Sequence, residues 1–248
     1  MIELINLKKA FGSKVVTNDL DLTVNTGEFL AIIGRSGEGK SVLLKQIVGL
    51  IESDSGEIII NGLQLSKLHG KEREKIFREC GYVFQFAALL DSLNVFDNIA
   101  LYHIEHGIKM QEIQPLVIEK VKSVGLSLDV LEKFPDELSG GMKKRVGLAR
   151  TLMMTPKILI YDEPTTGLDP VTTRLIHELM KDTHIKFNTT TIVISHDIEI
   201  FKYASHVAML HEGKIIYKGE TATIWDCENP YVHQFIRGAE KGPITHGT

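Results

Sequence analysis

Eight consecutive residues, Gly34-Arg35-Ser36-Gly37-Glu38-Gly39-Lys40-Ser41, have the composition of a phosphate cradle. Glycines let successive backbone N–H groups close around an anion with no Cβ in the way. A helix beginning near Lys40 aims the positive end of its dipole at the same anion. Lys40 adds a mobile ammonium for the β and γ phosphates of a nucleotide, and Ser41 offers a hydroxyl to Mg²⁺. An apolar run, Phe29 to Ile33, precedes the stretch, and an amphipathic run, Val42 to Leu50, follows it. The order strand, glycine loop, helix is the context such a loop requires.

A second set of groups lies much further along. Ile158-Leu159-Ile160-Tyr161-Asp162-Glu163 reads as a buried parallel strand with two acids at its C-terminal end, the end where open α/β sheets bind ligands. Asp162 would help hold Mg²⁺, and Glu163, one residue on, would take a proton from water. The paired acids argue against a protein that binds nucleotide without hydrolysing it. Thr190 to Ile194 is another buried strand, and His196 just past it is placed to donate to a γ-phosphate. The other nine histidines read as surface residues. Ser139 is a good helix N-cap, and Gly140-Gly141 behind it form another anion-seeking backbone. Phe11, before the turn Gly12-Ser13-Lys14, offers a flat face on which a purine can stack, or is a half-buried aromatic at a strand end.

These groups need elements to position them. Residues 2–7 and 20–24 alternate as strands. Glu57 to Ile60 reads as a strand followed by the turn pair Asn61-Gly62. Residues 70–79 form a charged, solvated helix, and Tyr82 to Phe84 is a strand ending at Gln85. From Phe86 to about Leu152 apolar residues recur at helical spacing, with breaks at Gly107, Gly125 and Pro135, so a helical lobe is inserted into an α/β core. The helix after Ser139 is expected over Lys143 to Met154, and one beginning at Pro170 runs to about Phe187. Strands over 206–210 and 214–218 flank Glu212-Gly213, short helices follow near Ile224 and Tyr231, and Lys241 onward reads as disordered.

Composition narrows the class. The 248 residues are 43% hydrophobic, enough for a substantial core, and the net charge of −4 gives no electrostatic case for nucleic acid. No apolar run approaches the roughly 20 residues that cross a bilayer, and the N-terminus lacks the shape of a signal peptide. Cys80 and Cys227, without a C-x-x-C pair, are expected as free thiols in a reducing compartment. The reading is a soluble, cytoplasmic protein that reaches a membrane only through a partner.

Taken in order, these segments resemble the ATP-binding cassette family over nearly the whole chain. Gly34 to Ser41 is similar to its Walker A, Gln85 to its Q-loop glutamine, Leu138 to Met142 to its signature motif and Ile158 to Asp162 to its Walker B. Glu163 falls at the catalytic carboxylate, Asp169 in the D-loop, His196 at the switch histidine and Phe11 at the adenine-stacking aromatic. The resemblance implies an α/β P-loop NTPase fold: a RecA-like core with a mixed sheet, an N-terminal antiparallel β subdomain and an inserted α-helical subdomain. It places one cassette over residues 1–238, with the core about 1–85 and 153–228, the helical subdomain about 86–152 and a tail over 229–248. It implies ATP and Mg²⁺ as ligands, the ion held by Ser41, Gln85 and Asp162. Two copies would pack head to tail as a homodimer, with Ser139, Gly140 and Gly141 of one completing the nucleotide site of the other.

Phe84 to Asn98, Met142 in the signature and the ending Gln234 to Pro243 resemble lipid-transport cassettes of the Mla type, which work with Mce-domain proteins. That implies phospholipid movement between the membranes of a diderm envelope, alongside an integral membrane permease and a lipid-binding Mce-domain protein. Some members also bind a small STAS-domain protein. The cassette would then sit at the cytoplasmic face of the inner membrane. The rivals are another cargo (an amino acid, a metal or a lipoprotein) and a non-transport cassette, which usually carries a coiled coil or a second cassette.

Two residues depart from the family pattern. Glu38 stands inside the phosphate loop, where its charge would repel triphosphate unless it faces outward, toward a base or a partner cassette. Val42 replaces a common Thr and is expected to pack. In the tail, Tyr231, Val232, Phe235 and Ile236 form an apolar stripe expected to dock on a partner cassette or a regulator, the bland alternative being packing on its own domain.

Overall fold

The computed structural model describes residues 1–244. In chain order its elements are β1 (Ile2–Phe11), β2 (Lys14–Val24), β3 (Phe29–Ile33), α1 (Lys40–Ile47), β4 (Ser55–Ile60), β5 (Leu63–Gln64), α2 (Gly70–Glu79), β6 (Cys80–Val83), α3 (Val95–Glu105), α4 (Met110–Ser123), α5 (Gly140–Leu152), β7 (Ile158–Asp162), α6 (Pro170–Phe187), β8 (Thr190–Ile194), β9 (His206–His211), β10 (Lys214–Glu220) and α7 (Pro230–Arg237). They divide into two compact units: Met1–Ile76 with the chain from Thr190 onward, and Phe77–Thr189. Among the described residues no helix is long and apolar enough to cross a membrane.

The first unit carries two sheets. One is antiparallel, in the order β2-β1-β4-β5. In the other, β10 pairs antiparallel with β9, and β9 and β8 flank β3 in parallel. All five residues of β3 are buried, as are all five of β8, as expected of strands covered on both faces; β3 is apolar throughout, while β8 opens with the buried Thr190 and Thr191. Asn61 and Gly62 both take left-handed φ, 53° and 80°, which is why that pair turns β4 into β5.

The second unit pairs β6 with β7 in parallel and surrounds them with helices. Gly107 and Gly125, at φ 70° and 68°, stop α3 and α4 where the sequence reading expects breaks. Pro115 lies inside α4 without ending it. Asn98, fully buried on α3, donates to the carbonyls of Leu90, Leu93 and Asn94 and accepts from the Leu90 N–H. One side chain thus satisfies most of the loop that enters the helix.

Several expectations are corrected. Helix α5 begins at Gly140, not Lys143, because Ser139 caps it by accepting from the Met142 N–H at 3.3 Å. β6 runs over Cys80–Val83, two residues earlier than expected, and β1 and β2 extend to the turn at Gly12-Ser13. His177 is buried inside α6 and is no surface residue; His246 lies outside the described residues. The tail stripe does not stand free: Val232 and Ile236 are buried, with Tyr231 and Phe235 half-buried, so α7 packs on its own unit. Residues 241–244 are ordered against that helix. Gln234 donates to the carbonyls of Ala239 and Ile244 and accepts from the Ile244 N–H at 2.7 Å. The remainder of the segment expected to be disordered, 245–248, lies outside the described residues. Cys80 and Cys227 are free thiols, Cys80 buried.

Candidate functional site

In the first unit the phosphate loop leaves the end of β3 at Gly34 and enters α1 at Lys40. A Cβ on Gly34, at φ 152°, would lie 2.4 Å from the Leu210 carbonyl oxygen. One on Gly39, at φ 91°, would lie 2.2 Å from Val16 Cγ1. Both positions therefore require glycine, and the loop is pressed against β9 and β2. Lys40 is only 4% exposed, and its ammonium donates to the carbonyls of Gly34 at 2.8 Å and Arg35 at 2.7 Å. A polyphosphate would find that charge already centred in the loop. Ser36 and Gly37 lie on the loop's exposed side, while Ser41 and Val42 are half-buried at the first turn of α1.

Glu38 is held within its own unit. Its carboxylate meets His211 Nδ1 at 3.1 Å and accepts the Glu212 N–H at 2.7 Å, at the turn between β9 and β10. His211 in turn packs on Tyr231 of α7, ring centroids 4.9 Å apart. The negative charge is thereby turned away from the anion site.

Phe11 closes β1, is 50% exposed and has the Lys9 ammonium 5.3 Å from its ring centroid. His196 is exposed in the turn after β8, where Ser195 Oγ accepts from the Asp197 N–H at 3.0 Å and Asp197 accepts from the Glu199 N–H. That turn fixes the backbone on both sides of the imidazole.

The second unit holds the carboxylates. Asp162 is buried at the end of β7 and accepts from the Tyr82 hydroxyl at 2.7 Å. Burial, with the Asp162 charge, pushes the Tyr82 phenol well above its ordinary value, so it stays a donor. Glu163 takes a left-handed backbone, φ 48°, and so departs from the strand direction. Its Oε2 accepts from Gln85 Nε2 and from Thr166 Oγ1, each at 3.0 Å. The backbone just past Gln85 is fixed as well. Ala87 and Ala88 are left-handed at φ 59° and 48°, and the Arg150 guanidinium of α5 donates to both of their carbonyls.

Of the two glycines at the start of α5, Gly141 is tightly set: a Cβ there would lie 2.6 Å from Thr172 Cγ2, whereas one on Gly140 would make an ordinary 3.4 Å contact with Leu168. Asp169 is exposed and caps α6, accepting from the N–H groups of Val171 and Thr172 at 3.0 Å and from the Thr172 hydroxyl. These bonds, that of the hydroxyl foremost, hold its carboxyl below the usual carboxylate range.

Three participants escape the sequence reading: Tyr82, Thr166 and Lys144. Lys144, 9% exposed on α5, donates to the Thr166 carbonyl at 2.9 Å. Burial, partly offset by the nearby Glu163 charge, lowers its ammonium from 10.5 to about 8. No periodicity marks these residues, since each matters through a partner distant in the chain. For a metal, the hydroxyl of Ser41, the amide oxygen of Gln85 and the carboxylate of Asp162 are all hard oxygen donors, the kind that suits Mg²⁺.

Residues 17–166 match the family described as ABC transporter. The chain is 39% identical to the "Probable ribonucleotide transport ATP-binding protein mkl" of Mycobacterium tuberculosis, over 98% of this chain and 68% of that one. It is 35% identical to the "Intermembrane phospholipid transport system ATP-binding protein MlaF" of Haemophilus influenzae, over 98% of this chain and 93% of that one. Among solved structures, the dimeric post-hydrolysis state of the ATP-binding cassette MJ0796 bound to ADP and Pi superposes with a TM-score of 0.81 at 30% identity, covering 89% of this chain and 99% of that one.

Proposed function

The chain belongs to the ABC transporter family as an ATP-hydrolysing cassette, and from that premise we propose that it energises phospholipid movement between the two membranes of a diderm envelope. The observation that carries the hydrolytic half is the carboxylate pair closing β7. Asp162 is held under the Tyr82 hydroxyl, and Glu163 is turned aside and steadied by Gln85 and Thr166.

The proposed roles follow from the local chemistry. Backbone N–H groups from Gly34 to Ser41 bind the triphosphate, and Lys40 exchanges its two carbonyl partners for β and γ oxygens. Phe11 stacks on the adenine. Ser41, Gln85 and Asp162 would hold Mg²⁺, which would supply charge neutralisation at the phosphates. Glu163 accepts the proton of the water that attacks the γ-phosphorus, and His196 donates to a γ-phosphate oxygen. Ser139, Gly140 and Gly141 of a second copy close over the same nucleotide, with Asp169 at the contact between copies.

The cargo is argued from the residues of the Phe84 to Asn98 stretch and from the near-complete coverage of the phospholipid-transport relative. With that cargo come an integral permease, an Mce-domain lipid-binding protein and, in some assemblies, a STAS-domain protein, at the cytoplasmic face of the inner membrane. A second cargo, a ribonucleotide or another small solute, is favoured by the name of the mycobacterial relative.

Two experiments test this. Glu163→Gln should lower ATP turnover by about 10²–10⁴-fold while leaving ATP binding intact; a variant with more than half the parent rate overturns the base assignment. A mild-detergent pull-down, with mass spectrometry of proteins and lipids together, should recover a permease, an Mce-domain protein and phospholipid. A permease without the Mce protein or lipid discards the cargo, and no membrane protein at all discards the transport reading.

A further inference from the structure

Lys144 lies on α5, the helix that the Leu138 to Met142 segment opens, yet its side chain serves a different loop. Its ammonium donates to the carbonyl of Thr166, and the hydroxyl of that same threonine donates to Glu163 Oε2. The turn is closed a second time by the Thr166 N–H, which donates to the Glu163 carbonyl at 3.3 Å. Lys144 is therefore bonded to the far end of a four-residue turn whose first residue is Glu163. The ammonium is also close enough for the Glu163 charge to act on it, opposing the larger effect of burial.

The small cavity that Lys144 lines is otherwise largely apolar. Its walls include Phe84, Tyr161, Pro164, Ile176 and Met180, and the Tyr161 phenol, itself raised by burial, carries no charge there. Among the described residues, the ammonium bonds to the Thr166 carbonyl and feels the Glu163 charge. A lysine buried for packing alone gains nothing from such a site, because the desolvation is large and a methionine would fill the space. A lysine there makes sense as a strong donor that fixes the turn on which the Glu163 carboxylate is carried.

We propose that Lys144 is a positioning residue for hydrolysis: by gripping the Thr166 carbonyl it fixes the turn that begins at Glu163, and so keeps that carboxylate aimed at water. This rests on the reading of Glu163 as the base. It also makes the start of the signature helix and the base a single mechanical piece, since α5 carries Ser139 at its first turn and Lys144 one turn later.

The test is steady-state ATP hydrolysis by the full chain from pH 6.5 to 9.5, for Lys144→Gln, Lys144→Arg and Glu163→Gln beside the parent. Lys144→Gln should lower kcat about tenfold with KM for ATP within about twofold of the parent, because the residue never touches nucleotide. The parent rate should fall as pH rises through about 8, where the ammonium discharges, and this alkaline limb should vanish in Lys144→Gln. Lys144→Arg keeps charge and donor and should retain more than half the parent kcat, with the limb moved beyond the range. A Lys144→Gln variant with parent kcat overturns the proposal, as does one with lowered kcat and an unchanged alkaline limb. Glu163→Gln at parent rate would instead overturn the assignment of the base on which the proposal stands.

Discussion

Glu38 Oε1 lies 3.1 Å from His211 Nδ1, so a carboxylate inside the phosphate loop is anchored on the turn between β9 and β10. The bond spans 173 residues of chain and keeps a negative charge off the anion site. Releasing it should let that charge swing toward the triphosphate. His211→Ala is expected to weaken ATP binding about threefold or more, and Glu38→Ser combined with His211→Ala should restore it. Titration with a fluorescent ATP analogue across the double-mutant cycle checks this. Additive losses in the double variant would mean that the histidine acts on the fold and not on the charge.

Lys40 gives the loop its one buried ammonium, bonded to the carbonyls of Gly34 and Arg35. Lys40→Ala removes the cation that phosphate would draw off those carbonyls. ATP affinity should fall by about tenfold or more, the worth of a charge-assisted hydrogen bond. Calorimetric titration measures it, and an unchanged affinity would set aside the phosphate-binding role of the loop.

Phe11 is half exposed at the end of β1, so its ring is spare as far as the core is concerned. Phe11→Ala should leave the melting temperature within a degree or so and weaken ATP about three- to tenfold, the scale of one aromatic stack. Phe11→Trp should bind at least as well as the parent. A large loss of thermal stability in Phe11→Ala would identify the ring as a packing residue.

Lys144 also makes a stability prediction. Its folded value, about 8, lies below the 10.5 of an exposed lysine. Between those values the unfolded chain holds a proton that the folded chain lacks, so stability rises with pH across that window. Below pH 8 the folded protein bears the cost of a buried charge. Lys144→Met should therefore melt higher than the parent at pH 7, and the difference should shrink by pH 10. Thermal scans at the two pH values decide it; an equal difference at both would mean that the methionine acts through packing alone.

Much of the site was readable because local chain and local chemistry coincide there. Gly34 to Ser41 is a loop whose function needs its own consecutive backbone, and Asp162-Glu163 ends a strand whose burial is written in Ile158 to Tyr161. Asp169 before Pro170 caps a helix by the same short-range logic. What stayed hidden depends on distance along the chain. Lys144 in a run of Lys143-Lys144-Arg145 looks like a solvated face, and only the turn 22 residues later makes it a buried donor. Glu38 could be read as outward-facing, but nothing near it in sequence names His211. His177 resembles any helical histidine until the packing around α6 closes over it. Residues 241–244 look like a loose end, because the glutamine that orders them sits on the preceding helix.

That glutamine bears on where the chain can be cut. Gly238 takes the left-handed conformation that ends α7, and by local signals it is the natural stopping point. Beyond it, however, the backbone folds back until a Cβ on Gly242 would lie 2.3 Å from Gln234, and Ile244 is buried over the same amide. A chain trimmed at Gly238 would leave that amide with neither of the carbonyls it donates to nor the N–H it accepts from. The segment from Ala239 to Ile244 therefore acts as a stopper over the Gln234 amide, and α7 is anchored by residues that lie beyond its own end.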